Sequence, residues 1–275
     1  MATNTTNYNL SKPAPTDSPP DITAQNANWD IIDSELKRLS DIALPEGLNL
    51  RFPTDSTITN PGITKYIDAT NGNDANSGDE GSPMKSLRAV IAKYGGMQNL
   101  VVKMAAGTYS DVNNLLVNGR SYIRLEPAVE GAVVKITTPY HQYGGYFSAF
   151  NIQFVSTSAD VAACTISGGS ATFSGCTFTS PLYGVAIIEG SVSGLTNCTF
   201  TNCATAVYAA SGACVFASGM SGTGNTTGYL ASSSLIVVGN TTLSATTMAT
   251  KTLGGMIFRN GNLIGSTANA FVSAT

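Results

Sequence analysis

Thr172-Phe173-Ser174-Gly175-Cys176-Thr177-Phe178-Thr179 and Leu195-Thr196-Asn197-Cys198-Thr199-Phe200-Thr201 carry one pattern twice, with Cys176 and Phe178 returning as Cys198 and Phe200 at a sequence shift of 22. Within each stretch apolar and hydroxyl side chains alternate, the period of a strand with one face buried. The same shift runs on in both directions. It superposes Val185, Val207 and Tyr229, then Ala186, Tyr208 and Leu230, then Val192, Cys214 and Ile236. Gly168, Gly190 and Gly212 follow it, as do Gly239-Asn240 with Gly261-Asn262 and Ile236 with Phe258. A fixed period of this size marks stacked structural units. The Gly and Asn turns leave no room for a helical stripe of about 12 residues, which excludes helical repeats. The pattern therefore predicts an all-β chain, a single-stranded right-handed parallel β-helix with coils of about 22 residues and equivalent side chains stacked about 4.8 Å apart. Cys176 over Cys198 and Phe178 over Phe200 are expected as internal ladders. A disulfide between the two cysteines is geometrically conceivable, but strand spacing leaves their side chains parallel, so buried free thiols are the expectation.

Upstream, Asn99 to Met104, Tyr122 to Glu126 and Ala132 to Thr137 read as short strands between Gly, Asn and Pro turns. Lys65 to Ala69 is a further strand, followed by a Gly-, Asn- and Asp-rich loop over 70–81. Ser82 as N-cap with Pro83 at the first helical position predicts an amphipathic helix through Lys93 that buries Met84, Leu87, Val90 and Ile91. Strand, loop and helix over 64–95 form a capping unit for the β-helix domain of 64–275, which otherwise exposes core and strand edges at its end. Residues 45–63 form a Pro-containing linker. Before it, Ile22, Gln25, Trp29, Ile32, Leu36, Leu39 and Ala43 fall at spacings of three and four, a heptad seam over 22–44 broken by Gln25. About three heptads are too short to stand alone, so Ile22, Trp29, Ile32, Leu36 and Leu39 are expected to associate with copies of themselves or with a neighbour. Residues 1–21, with Pro13, Pro15, Pro19 and Pro20, read as an extended arm.

Two segments resemble known families. Tyr66-Ile67-Asp68-Ala69-Thr70-Asn71-Gly72-Asn73-Asp74, Ser77-Gly78, Ser82-Pro83-Met84-Lys85-Ser86-Leu87, Ala89-Val90-Ile91 and Gly107-Thr108-Tyr109 look like the opening of pectate-lyase-like β-helix domains. That superfamily includes lyases, hydrolases and inert fibres, so the resemblance implies architecture and not activity. Tyr8-Asn9-Leu10, Lys12-Pro13, Asp17, Asp21-Ile22, Asn26, Trp29, Ile32-Asp33 and Leu36 are similar to the N-terminal arm and helix of tail fibre and appendage proteins of phages and prophages of Gram-positive bacteria. This second resemblance implies a short homotrimeric tail fibre or receptor-binding protein. Its N-terminus, with Tyr8, Leu10 and Pro13, would attach to the baseplate, and its distal region would meet a host-surface glycan or protein.

The charge balance is 14 Lys and Arg against 17 Asp and Glu, net −3, with no basic run of the kind nucleic-acid binding needs. Met1 to Leu10 lacks a basic and an apolar signal region, and no apolar run approaches a membrane span. A soluble protein released by lysis or within a particle, here a virion tail, is the expectation. Cys164, Cys176, Cys198, Cys203 and Cys214 and the sole histidine, His141, lack zinc-ligand spacing. Asp68, Asp74, Asp79 and Glu80 do not follow the EF-hand pattern and suit a turn network better than calcium. No metal and no cofactor is expected.

Polysaccharide cleavage needs paired carboxylates or a base with cation support. Residues 151–275 hold only Asp160 and Glu189 as acids, 29 positions apart and seven off the repeat, and only Lys251 and Arg259 as bases. This predicts no catalytic groove there and a chain that is not an enzyme. Asp111, Arg120, Arg124, Glu126, Glu130 and Lys135, with His141, are the richer candidates, read as a solvated rim on the first coils. A polysaccharide depolymerase, lyase or hydrolase, on the same scaffold is the alternative. Of the tyrosines that include Tyr140, the residues Tyr143, Tyr146, Tyr183 and Tyr229 are the expected glycan contacts.

Overall fold

The computed structural model describes residues 62–95, 99–110, 115–118, 122–264 and 267–268, with 3–4, 11–12, 32 and 34 nearer the start. The chain divides into two compact units, Met1–Ser56 and Thr57–Thr275. In the first, Thr3–Asn4 pairs antiparallel with Ser11–Lys12, and Ile32 and Ser34 are helical. Tyr8, Leu10, Pro13, Ile22, Trp29, Leu36 and Leu39 lie outside the described residues.

The second unit is a right-handed parallel β-solenoid of about seven turns with little helix. Each turn contributes one strand to each of up to three parallel sheets. The first sheet runs through Ile63–Ile67, Leu100–Met104, Tyr122–Pro127, Tyr146–Phe150, Ser170–Ser174, Val192–Thr196, Cys214–Ser218, Leu235–Val238 and Met256–Arg259. The second is shorter, from Gly107–Tyr109 to Thr199–Thr201. The third begins at Leu115–Asn118 and continues to Ala245–Thr252. Alternation decides which side chains go in. In Leu100–Met104, for example, Leu100, Val102 and Met104 are buried while Val101 and Lys103 face outward.

The interior is filled by ladders of like side chains. Phe154, Phe178 and Phe200 stack with ring centroids 5.3 and 4.9 Å apart and planes within 12° of parallel. Phe173 meets Phe178 edge-on at 5.4 Å. Each fully buried aromatic contributes roughly 1.5–3 kcal/mol of transfer free energy, and stacked or edge-on pairs add to that. Cys176 and Cys198 lie one above the other as free, buried thiols. Cys164 and Cys203 are buried too, and only Cys214 is partly exposed.

The expected coil period holds in the middle of the solenoid and is departed from elsewhere. Tyr146 pairs with Ser170, a sequence step of 24, whereas Ser170 pairs with Val192 and Val192 with Cys214 at steps of 22. Beyond that the step shortens, with Cys214 against Leu235 and Leu235 against Met256. The expected stacking of Val192, Cys214 and Ile236 is thus corrected. Ile236 points inward, paired with Val215 and Ile257, and Phe258 stacks on Val237. A one-residue shift moves every side chain of a strand to the other face.

The capping helix, α1, spans Leu87–Tyr94 and begins later than the Ser82-Pro83 pair predicts. Its N-cap is Ser86, whose hydroxyl accepts from the Ala89 amide. Residues 82–86 are spent differently. The Met84 amide donates to the Tyr66 carbonyl, and the Met84 carbonyl accepts from the Asp68 amide. Asp74 accepts from the amides of Lys85 and Ser86 and from the Ser86 hydroxyl. Met84, Leu87 and Val90 are buried as expected, and Ile91 packs half-buried against the core. At the other end, Phe258 pairs antiparallel with Leu263, and the Lys251 ammonium donates to the Ile264 carbonyl at 2.6 Å.

Candidate functional site

On the outer face of the first sheet, the early coils bring together Lys103, Tyr122, Arg124, Glu126, Tyr146 and Phe150. Alternation points Tyr122, Arg124 and Glu126 out from one strand, and the register sets Lys103 beside Glu126 and Tyr146 beside Tyr122. Glu126 Oε1 accepts from Lys103 Nζ at 2.5 Å, and its Oε2 accepts from Arg124 Nη2 at 2.5 Å and Nε at 2.6 Å. The carboxylate side chain is 12% exposed. Burial pushes its pKa up, but the hydrogen bonds and charges of Lys103 and Arg124 outweigh that and hold it below the usual glutamate value. Two cations less one carboxylate leave this cluster with a net charge of +1.

The aromatic half adjoins it. The Tyr122 and Tyr146 rings stack at 5.0 Å and 19°. Each phenol is tied to a hydroxyl, Tyr122 with Ser148 at 3.0 Å and Tyr146 with Thr172 at 2.7 Å. The Arg124 guanidinium stands 4.4 Å from the Phe150 ring centroid, a cation–π contact that fixes its plane. Tyr146 remains 39% exposed. The result is an open strip in which aromatic rings sit next to fixed cations. It can stack on the apolar face of a sugar ring and pair with an anionic or hydroxyl substituent.

Of the residues expected to carry chemistry, Arg124 and Glu126 meet here, and Tyr146 with them. Lys103 and Tyr122 were not anticipated. Lys103 precedes Glu126 by close to one coil period, and carrying the repeat further upstream would have found it. The other candidates stand apart. Lys135 lies on the second sheet and His141 on the third, where burial lowers its pKa. Glu130 is exposed in a turn, and Asp160 in a loop. Glu189 accepts from the Ser167 hydroxyl at the end of the third sheet. Asp111 and Arg120 lie outside the described residues.

The expected glycan contacts do not form one surface. Tyr143 ends a strand of the third sheet, and Tyr183 stacks on Tyr208 at 4.5 Å. Tyr229 is corrected: it is fully buried, because the register that stacks it on Val207 turns it inward, and its hydroxyl meets Thr241. Tyr140 is likewise interior, its hydroxyl donating to Gln142. The acidic loop is a turn network. Asp68 accepts from the Thr70 and Asn71 amides, and Asp79 pairs with Lys65 and Ser77. Among the described residues no helix is long and apolar enough to cross a membrane.

Residues 143–272 match the family described as the right-handed β-helix region. Among solved structures, a rhamnogalacturonan lyase is similar at 11% identity, over 75% of this chain and 79% of that one, with a TM-score of 0.30. No curated protein matches the chain. The expectation that the chain is not an enzyme is withdrawn, a rhamnogalacturonan lyase being among the solved structures that match.

Proposed function

We propose that this chain engages an anionic cell-surface glycan through the outer face of its first coils, as the distal part of a phage or phage-like tail appendage. The observation that carries the glycan reading is the stacked Tyr122–Tyr146 pair beside the Lys103–Glu126–Arg124 cluster. The aromatic faces suit sugar rings, and the surplus cation suits a carboxylate or phosphate substituent. The tail reading is supported by the segment from Tyr8 to Leu36, with Tyr8, Leu10 and Pro13 at the baseplate and Ile22, Trp29, Ile32, Leu36 and Leu39 holding a homotrimer. The protein would then reside in the virion tail.

Binding to an array of acidic and neutral wall or capsule glycans tests the site. Retention on acidic glycans that Tyr146→Ala and Arg124→Ala each reduce supports the proposal, whereas retention on none, or retention indifferent to both substitutions, overturns it. Antibody labelling of purified particles tests the location, with label at the tail tip expected.

A second reading, cleavage of the same glycan, is favoured by the two cations flanking one carboxylate. A lyase must stabilise the charge that develops when the proton beside a uronate carboxylate is removed. Glu126 itself is a poor base, since both oxygens are occupied and its pKa is depressed away from neutrality. Release of unsaturated oligosaccharides from an acidic glycan would establish this reading.

A further inference from the structure

The outer face of the first sheet changes character along the solenoid. Its early coils carry the charged and aromatic cluster, but its last four coils present two apolar rows. Val192, Cys214, Leu235 and Met256 stack in one, and Phe216, Val237 and Phe258 in the other. Val192 is 48% exposed, Phe216 51% and Met256 45%, with Leu263 at 57% continuing the second row. No Asp, Glu, Lys or Arg points outward from these strands, since Arg259 is in register with the buried Val238.

We propose that this face is where a second copy of the chain docks, sheet against sheet. The exposed parts of the two rows amount to on the order of 600 Å² of apolar surface, at the upper end of what monomers leave bare. A specific interface takes roughly 800 Å² per partner, so the rows with their Thr196 and Ser218 rim match what one copy needs. A glycan or an anionic surface is a poor occupant. With no charge and few hydrogen-bond donors, the face has nothing to offer a polysaccharide or an anionic surface. Two identical pleated faces, by contrast, have the same row spacing and interdigitate as paired sheets do. The interface lies on the coils beyond the Tyr122–Tyr146 strip, so association leaves that strip open.

The native chain carries its own reporter. Cys214 stands within the first row and is the one cysteine not buried. In full-length protein, light scattering should give a multiple of the chain mass, and Cys214 alkylation should quicken about tenfold on dilution below the dissociation midpoint, as mass action requires. Phe216→Asp should weaken association about a hundredfold, since it leaves a carboxylate to be desolvated unpaired. Met256→Asp, at the other end of the face, is a second variant should the first misfold. Tyr146→Ala should leave the mass unchanged, which separates this test from that of the glycan site. A monomer at every concentration overturns the proposal, whether Cys214 is reactive or is protected by the chain's own termini. So does Cys214 alkylation that neither dilution nor either aspartate quickens, whatever mass the N-terminal helix maintains.

Discussion

The Asn151 side-chain oxygen lies 2.1 Å from the point that a Cβ on Gly175 would occupy. The two residues close the same turn in successive coils, both in left-handed conformation, and the pair repeats as Asn197 over Gly219 at the same distance. Asn and Gly alternate down this corner because each Asn side chain fills the space that its neighbour must leave empty.

Gly175→Ala is therefore expected to cost about 1–2 kcal/mol for the left-handed backbone alone, and more for displacing Asn151. In an Asn151→Ala background the second part should vanish. A double-mutant cycle of thermal or denaturant unfolding measures the difference, and additivity would show that the contact is not made.

Phe178 is held between Phe154 and Phe200 with no solvent exposure. Phe178→Ala opens a cavity in the middle of the ladder, and a loss of roughly 3–5 kcal/mol is expected in denaturant unfolding. Phe178→Leu should recover most of it.

Glu126 has a folded pKa below its ordinary value of 4.5, so its contribution is fully present above that value and is lost as pH falls through the folded pKa. Glu126→Gln should remove this acid-side slope and cost on the order of 1–2 kcal/mol at neutral pH, reduced by solvent screening because both cations are about a third exposed. Stability measured against pH for the two proteins checks it.

At the alkaline end, burial pushes the Tyr109 phenol up to about 12, while its hydroxyl donates to the carbonyls of Ile67 and Ala105. The neutral form is the one the fold favours. Stability should be level below the ordinary tyrosine value of 10.0 and fall as pH rises from there toward 12. Tyr109→Phe should flatten that fall and cost about 1 kcal/mol at neutral pH, read by unfolding and by tyrosinate absorbance.

Periodicity alone was enough to read the solenoid, the 22-residue step of its middle coils and the inward ladders of Cys176 with Cys198 and Phe178 with Phe200. These follow from periodicity within and between neighbouring segments, and a buried row needs like residues at like positions. The outward face was less legible. Arg124, Glu126 and Tyr146 could be named, but not their meeting with Lys103 and Tyr122, nor the inward turn of Tyr229. Outward neighbours depend on the summed length of turns, and coil steps that shrink from Tyr146–Ser170 through Ser170–Val192 to Cys214–Leu235 displace the register without any mark in the alternation itself. The start of α1 was decided in the same way, by Asp74 and by strand-like bonds from Tyr66 and Asp68 to Met84, partners well separated along the chain. Local pattern sets which side chains are buried; only the wound chain decides which of the rest stand side by side.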